Sequence, residues 1–298
     1  IPLYYPEVDL SGNCIVAFED FALLASEWLN TEQLLYDLSS DSIIDYNDVS
    51  ILAENWLDVR DTNSRIFYVD SENGNDYNSG ASPSAAWQSL SEVNSRTFLP
   101  GDRILFKAGT QYNGRLRLRG QGQEGAPIII DMYGAGSKPR IDAQGVYLET
   151  VLLYNTEYCE INNLELTNTG STRVAGRCGV RVLIENYGKA RHIYLKNLYI
   201  HNVNGVYSKH GGLGGQGITC EIRDDPEVFI SSYDDLLIEG CYIRQVERDG
   251  IRTYTFGGTY QNRNNNSPFS KNVVIRGNLL ENLGGDGIVV RGCNGALI

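Results

Sequence analysis

Basic residues are scarce at the start of this sequence, and long apolar runs are absent throughout. Residues 1–64 contain 13 acidic residues and a single basic one, Arg60, and therefore carry the entire net charge of −12. Residues 65–298 contain equal numbers of acidic and basic residues. Neither segment has the positive charge typical of nucleic-acid-binding proteins. No apolar run is long enough for a membrane-spanning helix. The sequence therefore predicts neither a nucleic-acid partner nor a membrane span.

Cysteine pairs with zinc-site spacing are also missing. The six cysteines are widely separated, and no CxxC pair occurs. Cys159, Cys241 and Cys293 lie in or beside strand-like runs, where a free thiol packs as a small apolar side chain. We predict buried free thiols rather than disulfides. The chain opens with IPLYYPEV and no methionine, so we expect a processed product whose secretion signal has been removed.

The acidic segment contains two similar loops, 28 residues apart. DLSGNCIVAFED (9–20) and DLSSDSIIDYND (37–48) place side-chain oxygens at loop positions 1, 3, 5 and 12, with a backbone carbonyl at position 7. This is the ligand spacing of a calcium loop. Cys14 and Ser42 replace the usual glycine at position 6, which weakens the loops without excluding calcium. The predicted Ca²⁺ ligands are Asp9, Ser11, Asn13, Ile15 and Asp20 in the first loop and Asp37, Ser39, Asp41, Ile43 and Asp48 in the second.

Each loop is followed by a predicted helix, FALLASEWL (21–29) or VSILAENWL (49–57), with Leu24 and Leu52 on the apolar face. Helices capped by Asp and Ser without calcium are the alternative. Residues 9–57 resemble the duplicated segments of a dockerin module. The resemblance implies calcium binding, an extracellular or cell-surface location, and attachment to a cohesin-like protein or another cell-surface partner. We assign residues 1–60 to this all-α module and residues 61–64 to a linker.

Residues 65–298 contain repeated strand-like segments. INNLEL (161–166), LKNLYI (195–200), IEGCYI (238–243) and IRGNLL (275–280) align, with alternating apolar residues and irregular spacing. Such repeats are typical of stacked coils with loops of variable length. One predicted inward column is Leu166, Ile200, Ile243 and Leu280. A second is Leu164, Leu198, Cys241 and Asn278, in which we expect the Asn278 amide to bond neighbouring backbone.

The segment that begins IFYVDSENGNDYNSG, a strand followed by a polar loop and a short helix, resembles the start of secreted, pectate-lyase-like right-handed parallel β-helix proteins. Many of those proteins act on polysaccharides. The predicted fold is therefore an all-α module followed by an all-β parallel β-helix over residues 65–298. GCNGALI (292–298) begins another strand without a closing cap, so we expect the β-helix to continue.

Candidate chemistry centres on the segments VERDGI (246–251) and LGGDGI (283–288). Asp249 and Asp286 occupy equivalent positions in successive coils, where parallel strands lie about 4.8 Å apart. Two carboxylates at that distance favour protonation of one unless a cation lies between them. They could be the acid and nucleophile of a hydrolase, calcium ligands of a lyase, or ordinary Asp-Gly turn residues.

Basic and aromatic residues near these segments extend the predicted site. Arg252, Lys209 and His210 are candidate catalytic residues, because elimination from a uronate needs a cation and a base. Arg244 and Arg248 come from the same coil as Arg252 and are candidate substrate contacts. Tyr254 and Tyr260 are candidate sugar-stacking residues. Each of these side chains could equally be a surface or packing residue.

Together, these features predict a secreted polysaccharide-degrading protein, a β-helix lyase or glycoside hydrolase, that is anchored through the calcium module. The alternative is a non-catalytic β-helix adhesion or surface protein that uses the same module. The paired aspartates, the basic residues and the long loops 204–235 and 253–272 favour an enzyme. The sequence does not distinguish lyase from hydrolase, and it does not identify the sugar.

Overall fold

The computed structural model describes residues 10, 18–28, 38, 43–54, 64–207, 214–225, 230–255 and 269–298. The chain divides into two compact units, residues 1–63 and 64–298. Within the described ranges, no helix combines the length and apolar character needed to cross a membrane. Ten predicted site residues lie outside the described residues: Asp9, Ser11, Asn13, Ile15, Asp37, Ser39, Asp41, Lys209, His210 and Tyr260.

The first unit contains helices α1 (Phe18–Ser26) and α2 (Tyr46–Glu54). Leu24 and Leu52 are buried, which confirms the predicted apolar face. Both helices begin three residues before their predicted starts, inside the last positions of the acidic loops. The carboxylate of Asp48 explains this for α2, because its Oδ2 accepts a hydrogen bond from the backbone nitrogen of Asp45 at 2.7 Å. A carboxylate in the first turn that bonds the preceding backbone amide stabilises a helix N-terminus.

The second unit contains helix α3 (Leu90–Ser95) and nineteen described strands. In chain order the strands are β1 (Ile66–Val69), β2 (Arg103–Lys107), β3 (Gln111–Asn113), β4 (Leu116–Leu118), β5 (Ile128–Tyr133), β6 (Arg140–Asp142), β7 (Glu149–Tyr154), β8 (Cys159–Asn162), β9 (Glu165–Asn168), β10 (Cys178–Ile184), β11 (Lys189–Lys196), β12 (Tyr199–Val203), β13 (Gln216–Ile222), β14 (Ser232–Glu239), β15 (Tyr242–Val246), β16 (Asp249–Thr255), β17 (Lys271–Arg276), β18 (Leu279–Leu283) and β19 (Ile288–Val289).

The strands form three parallel sheets. Sheet A has the order β1-β2-β5-β8-β11-β14-β17, sheet B has the order β4-β7-β10-β13-β16-β19, and sheet C has the order β3-β6-β9-β12-β15-β18. From β3 onward, successive strands visit the three sheets in turn, so each coil adds one strand to each sheet. This arrangement is consistent with the predicted parallel β-helix.

Apolar side chains from successive coils stack inside the three sheets. In sheet C, Leu166 lies opposite Ile200, Ile200 opposite Ile243, and Ile243 opposite Leu280. The structure thus confirms the predicted column. Full burial of such a side chain stabilises the fold by about 1.5–3 kcal/mol, so the repeated columns supply much of the driving force.

The second predicted column ends in a polar residue that is bonded as expected. Asn278 Oδ1 accepts a hydrogen bond from the backbone nitrogen of Cys241 at 2.9 Å, and its Nδ2 donates to the carbonyl of Ile238 at 2.9 Å. Both functional groups of the amide are therefore satisfied by the preceding coil. The predicted state of the cysteines also holds: the five described cysteines are free thiols, and only Cys293 is partly exposed.

Candidate functional site

A line of polar residues runs across sheet B at the start of its strands. Cys178 lies opposite both Glu149 and Gln216, and Gln216 lies opposite Asp249. The line reaches Asp286, whose carbonyl accepts a hydrogen bond from the backbone nitrogen of Gly250 at 3.0 Å. The two DGI segments are therefore adjacent in successive coils, as their repeat predicts.

Glycine follows each of the last four residues of this line, and close packing requires the first three of these glycines. A Cβ atom at Gly217 would lie 2.5 Å from Cγ2 of Ile243 and 2.6 Å from the carbonyl oxygen of Gly250. Gly179 and Gly250 are similarly crowded. The sequence shows this feature as CGV, QGI, DGI and DGI at equivalent positions, and our sequence analysis used only the last two.

Asp249 and Asp286 have different surroundings despite their equivalent positions. Asp249 is only 1% exposed, whereas Asp286 is exposed. Asp249 Oδ1 lies 3.4 Å from Nε of Arg248, and its Oδ2 lies 3.7 Å from Nη1 of Arg252. The two arginines therefore compensate the charge of Asp249.

A second line on sheet B consists of Arg181, Thr219 and Arg252, which lie opposite one another in successive coils. Glu221 lies beside this line and connects Arg181 with Thr219. Nη1 of Arg181 lies 3.2 Å from Oε2 of Glu221, and the hydroxyl of Thr219 donates to Oε1 of Glu221 at 3.2 Å. Nη2 of Arg223 donates to Oε2 of Glu221 at 2.7 Å.

We call Glu149, Arg181, Glu221, Asp249 and Arg252 the buried charged cluster. Each of the five side chains is at least 93% buried. Such burial is tolerated only when opposite charges and hydrogen bonds compensate the loss of water. Nε of Arg181 lies 3.5 Å from Oε2 of Glu149, which extends the alternation of charge across three coils.

Burial also shifts the pKa values of two side chains in this region. Burial lowers the pKa of the Arg252 guanidinium, and the carboxylates of Glu221 and Asp249 oppose that shift only in part. Burial raises the pKa of the Cys178 thiol to about 12. The thiol is therefore uncharged at neutral pH and unsuited to act as a nucleophile.

The three arginines come from one coil, as predicted, but they do not lie on one face. Arg248 and Arg252 flank Asp249, but Arg244 lies on β15 in sheet C, opposite His201 and Glu281. The chain turns from sheet C to sheet B between β15 and β16, so residues of one coil lie on different faces. Arg244 contacts the hydroxyl of Tyr242 at 3.3 Å instead.

Tyr254 adjoins the buried charged cluster, as the sequence suggests, but cations already contact its ring. The guanidinium carbon of Arg252 lies 4.4 Å from the ring centroid, and that of Arg291 lies 5.3 Å from it. Stacking of a sugar on this ring stays a prediction. The structure places Asp249, Asp286, Arg248, Arg252 and Tyr254 together, while the catalytic and binding roles assigned to them also stay predictions.

Sequence analysis missed Glu149, Arg181 and Glu221. The available signal was their register, because Arg181 and Arg252 follow the glycine of the xGV and xGI pattern at the same distance, and Glu221 occupies the position of Tyr254 in the preceding coil. Charged residues at outward strand positions normally indicate a solvated surface. Their burial is therefore visible only in the structure.

A match to a known protein family agrees with the arrangement of three parallel sheets. Residues 149–298 match the family described as "Right handed beta helix region". The chain belongs to this family. A β-helix of this kind presents long, regular outer faces, and the buried charged cluster occupies one of them.

Two relatives have a named activity. A lacto-N-biosidase of Bifidobacterium longum is 28% identical over 270 residues, which cover 67% of this chain and 17% of the relative. The crystal structure of a GH136 lacto-N-biosidase from Eubacterium ramulus superposes with a TM-score of 0.68 and 27% identity over 82% of this chain and 45% of that one. The chain thus spans less than half the length of either relative.

Proposed function

We propose that this chain is part of a glycoside hydrolase that degrades polysaccharides or related glycans. The observation that carries the proposal is the match to the GH136 lacto-N-biosidase of E. ramulus, with a TM-score of 0.68 over 82% of this chain. That relative is named as a hydrolase, which favours hydrolysis over the β-elimination of a lyase. A lacto-N-bioside is therefore the first substrate to test.

The geometry supports a role for sheet B as a substrate-facing wall. Asp249 and Asp286 come from adjacent coils of sheet B, and Oδ1 of Asp249 lies 3.4 Å from the backbone nitrogen of Asp286. Asp286 is the exposed member, so we expect it to contact the glycan. Asp249 is held in place by Arg248 and Arg252, and we expect these three residues to stabilise the face of sheet B beside Asp286.

The test uses the complete protein with a lacto-N-bioside and a panel of plant and algal polysaccharides. Hydrolysis releases new reducing ends without an ultraviolet-absorbing unsaturated sugar. An unsaturated product would indicate a lyase, and no product from any substrate would favour an adhesion role. Asp286→Asn tests the contribution of the exposed carboxylate, and Glu72→Gln, another exposed acid in the same unit, is the matched control.

We further propose that residues 1–60 form a dockerin-like calcium module that anchors an extracellular enzyme to a cohesin-like partner. Helices α1 and α2 repeat at an offset of 28 residues, and their equivalent aspartates Asp20 and Asp48 are both buried. Both oxygens of Asp48 accept backbone hydrogen bonds, from Leu38 at 2.8 Å and from Asp45 at 2.7 Å. A carboxylate at position 12 is a ligand in calcium loops, and Asp48 occupies that position in the second loop.

Calorimetric titration of the whole chain with CaCl₂ tests this module. Binding of Ca²⁺ to the folded unit raises its melting temperature, and chelation lowers it. Asp48→Asn should weaken binding, whereas Glu19→Gln, an exposed acid in the first turn of α1, should not. The same melting temperature with and without chelator would show that the loops hold no calcium.

A further inference from the structure

A cavity lies on sheet C, and none of its lining residues belongs to the buried charged cluster on sheet B. Its volume is about 480 Å³, within the range of roughly 300–1,000 Å³ that small-molecule sites occupy. It lies toward the ends of four successive strands and the turns that follow them. The lining residues are Arg140, Asp142, Thr167, Thr169, His201, Asn202, Val203, Asn204, Gln245 and Glu247.

Two of the lining side chains are directed by an unusual backbone conformation. Asn202 and Gln245 have φ angles of 53° and 51°, in the left-handed region. The pairing of β12 with β15 passes directly from His201 and Arg244 to Val203 and Val246, so it omits both residues. Irregular positions of this kind redirect side chains away from the regular alternation of a strand. For glutamine the left-handed region costs roughly 1–2 kcal/mol, so the conformation needs support from the surrounding fold.

Several polar side chains in the cavity have no hydrogen-bond partner among the described residues. The side chains of Thr167, Asn202 and Gln245 make no hydrogen bond with any other residue in the part of the chain that the structure describes. The three residues come from three successive coils. One hydroxyl and two amides supply both donors and acceptors, which is what a sugar hydroxyl requires because it donates one hydrogen bond and accepts others.

The charges around the cavity disfavour an anionic ligand. Among the described lining residues Arg140 is the one arginine, and its Nη1 lies 3.8 Å from Oε1 of Glu165. Nε2 of His201 lies 3.0 Å from the same oxygen. Of the lining acids, Glu247 is paired with Arg173, and Asp142 would repel a uronate or a phosphate. A neutral ligand therefore fits this lining better than a charged one.

We propose that this cavity binds a neutral, hydroxyl-rich sugar residue of a glycan, at a site separate from the buried charged cluster. Such a site would hold a long glycan against the β-helix while another part of the same glycan is cleaved. The proposal does not depend on which bond, if any, the complete protein cleaves. The binding experiment and the hydrolysis experiment can therefore give negative results independently of each other.

The experiment measures binding of the whole chain to soluble glycans by calorimetry and by retardation in glycan-containing gels. Arabinogalactan, galactomannan and xyloglucan are the neutral probes, and polygalacturonate is the anionic one. The test variant is Asn202→Gly combined with Gln245→Gly, because glycine keeps the left-handed backbone and removes both amides. The matched control is Asn282→Gly, which alters the same position in the next coil, where φ is 50°, outside the cavity lining.

We expect the wild type to bind at least one neutral probe and the double variant to bind it about tenfold or more weakly, since two hydrogen-bonding groups are lost. Asn282→Gly should change the affinity by less than about twofold. Equal affinity of the double variant and the wild type would overturn the proposal. So would binding to polygalacturonate alone, or to none of the probes.

Discussion

Oδ1 of Asp249 lies 3.4 Å from the backbone nitrogen of Asp286, one coil further along the β-helix. The two residues share the triplet DGI and the same place in sheet B, yet only Asp286 is exposed. The difference comes from Arg248 and Arg252, which hold the carboxylate of Asp249 under the surface. The same local sequence therefore gives one buried, charge-compensated carboxylate and one exposed carboxylate.

Replacing each aspartate by asparagine should distinguish the two environments by their effect on stability. Asp249→Asn leaves two arginine side chains without their shared counter-charge, so we expect the free energy of unfolding of the β-helix to fall by about 3 kcal/mol. Asp286→Asn should change it by no more than about 0.5 kcal/mol, because its side chain is exposed. Urea unfolding of the whole chain measures both values. Similar losses for the two variants would contradict the different environments described for them.

Glycines in the strand starts of sheet B allow a second matched comparison. At Gly217 an added methyl group would lie 2.5 Å from Cγ2 of Ile243, whereas at Gly287 the nearest atom, Cδ1 of Leu280, would be 3.6 Å away. Gly217→Ala should therefore destabilise the β-helix by about 1–3 kcal/mol through overpacking. Gly287→Ala should cost clearly less, and thermal unfolding of both variants measures the difference. A larger loss at Gly287 would show that the coils are packed differently there.

The sequence predicts the interior of the β-helix better than its outer faces. Leu166, Ile200, Ile243 and Leu280 form one column across successive coils, in which the first three are buried and Leu280 is partly buried. The bonding of Asn278 also follows from sequence, since a polar group in an apolar column needs local partners. Inward positions are constrained by packing, and packing leaves a clear pattern.

The outer faces lack such a pattern because a charged residue at an outward position can be solvated or covered. Arg181 and Glu221 occupy outward positions of sheet B and are buried, and no sequence feature of their own strands indicates this. Arg244 and Arg248 are four residues apart, yet a change of sheet separates them. The turns between the sheets of each coil therefore determine which residues lie on the same face.

A final prediction concerns stability at high pH. Tyr112 is buried on β3, where its hydroxyl donates to the carbonyl of Val69 at 2.8 Å. Burial raises the pKa of Tyr112 from 10.0 to about 12. Above pH 10 the unfolded chain loses this proton while the folded chain keeps it, so the stabilisation is complete below pH 10 and decreases between pH 10 and about 12.

Tyr112→Phe should therefore make the free energy of unfolding less dependent on pH in this range, by up to about 1.4 kcal/mol per pH unit. Its loss of a hydrogen bond lowers stability at every pH, so the slope against pH is the quantity to compare. Tyr77→Phe is the control, because Tyr77 is 99% exposed and its replacement should leave the slope unchanged. Urea midpoints measured from neutral pH to about pH 12 give these slopes. If Tyr112→Phe keeps the wild-type slope, the hydroxyl of Tyr112 ionises as readily in the folded chain as in the unfolded one.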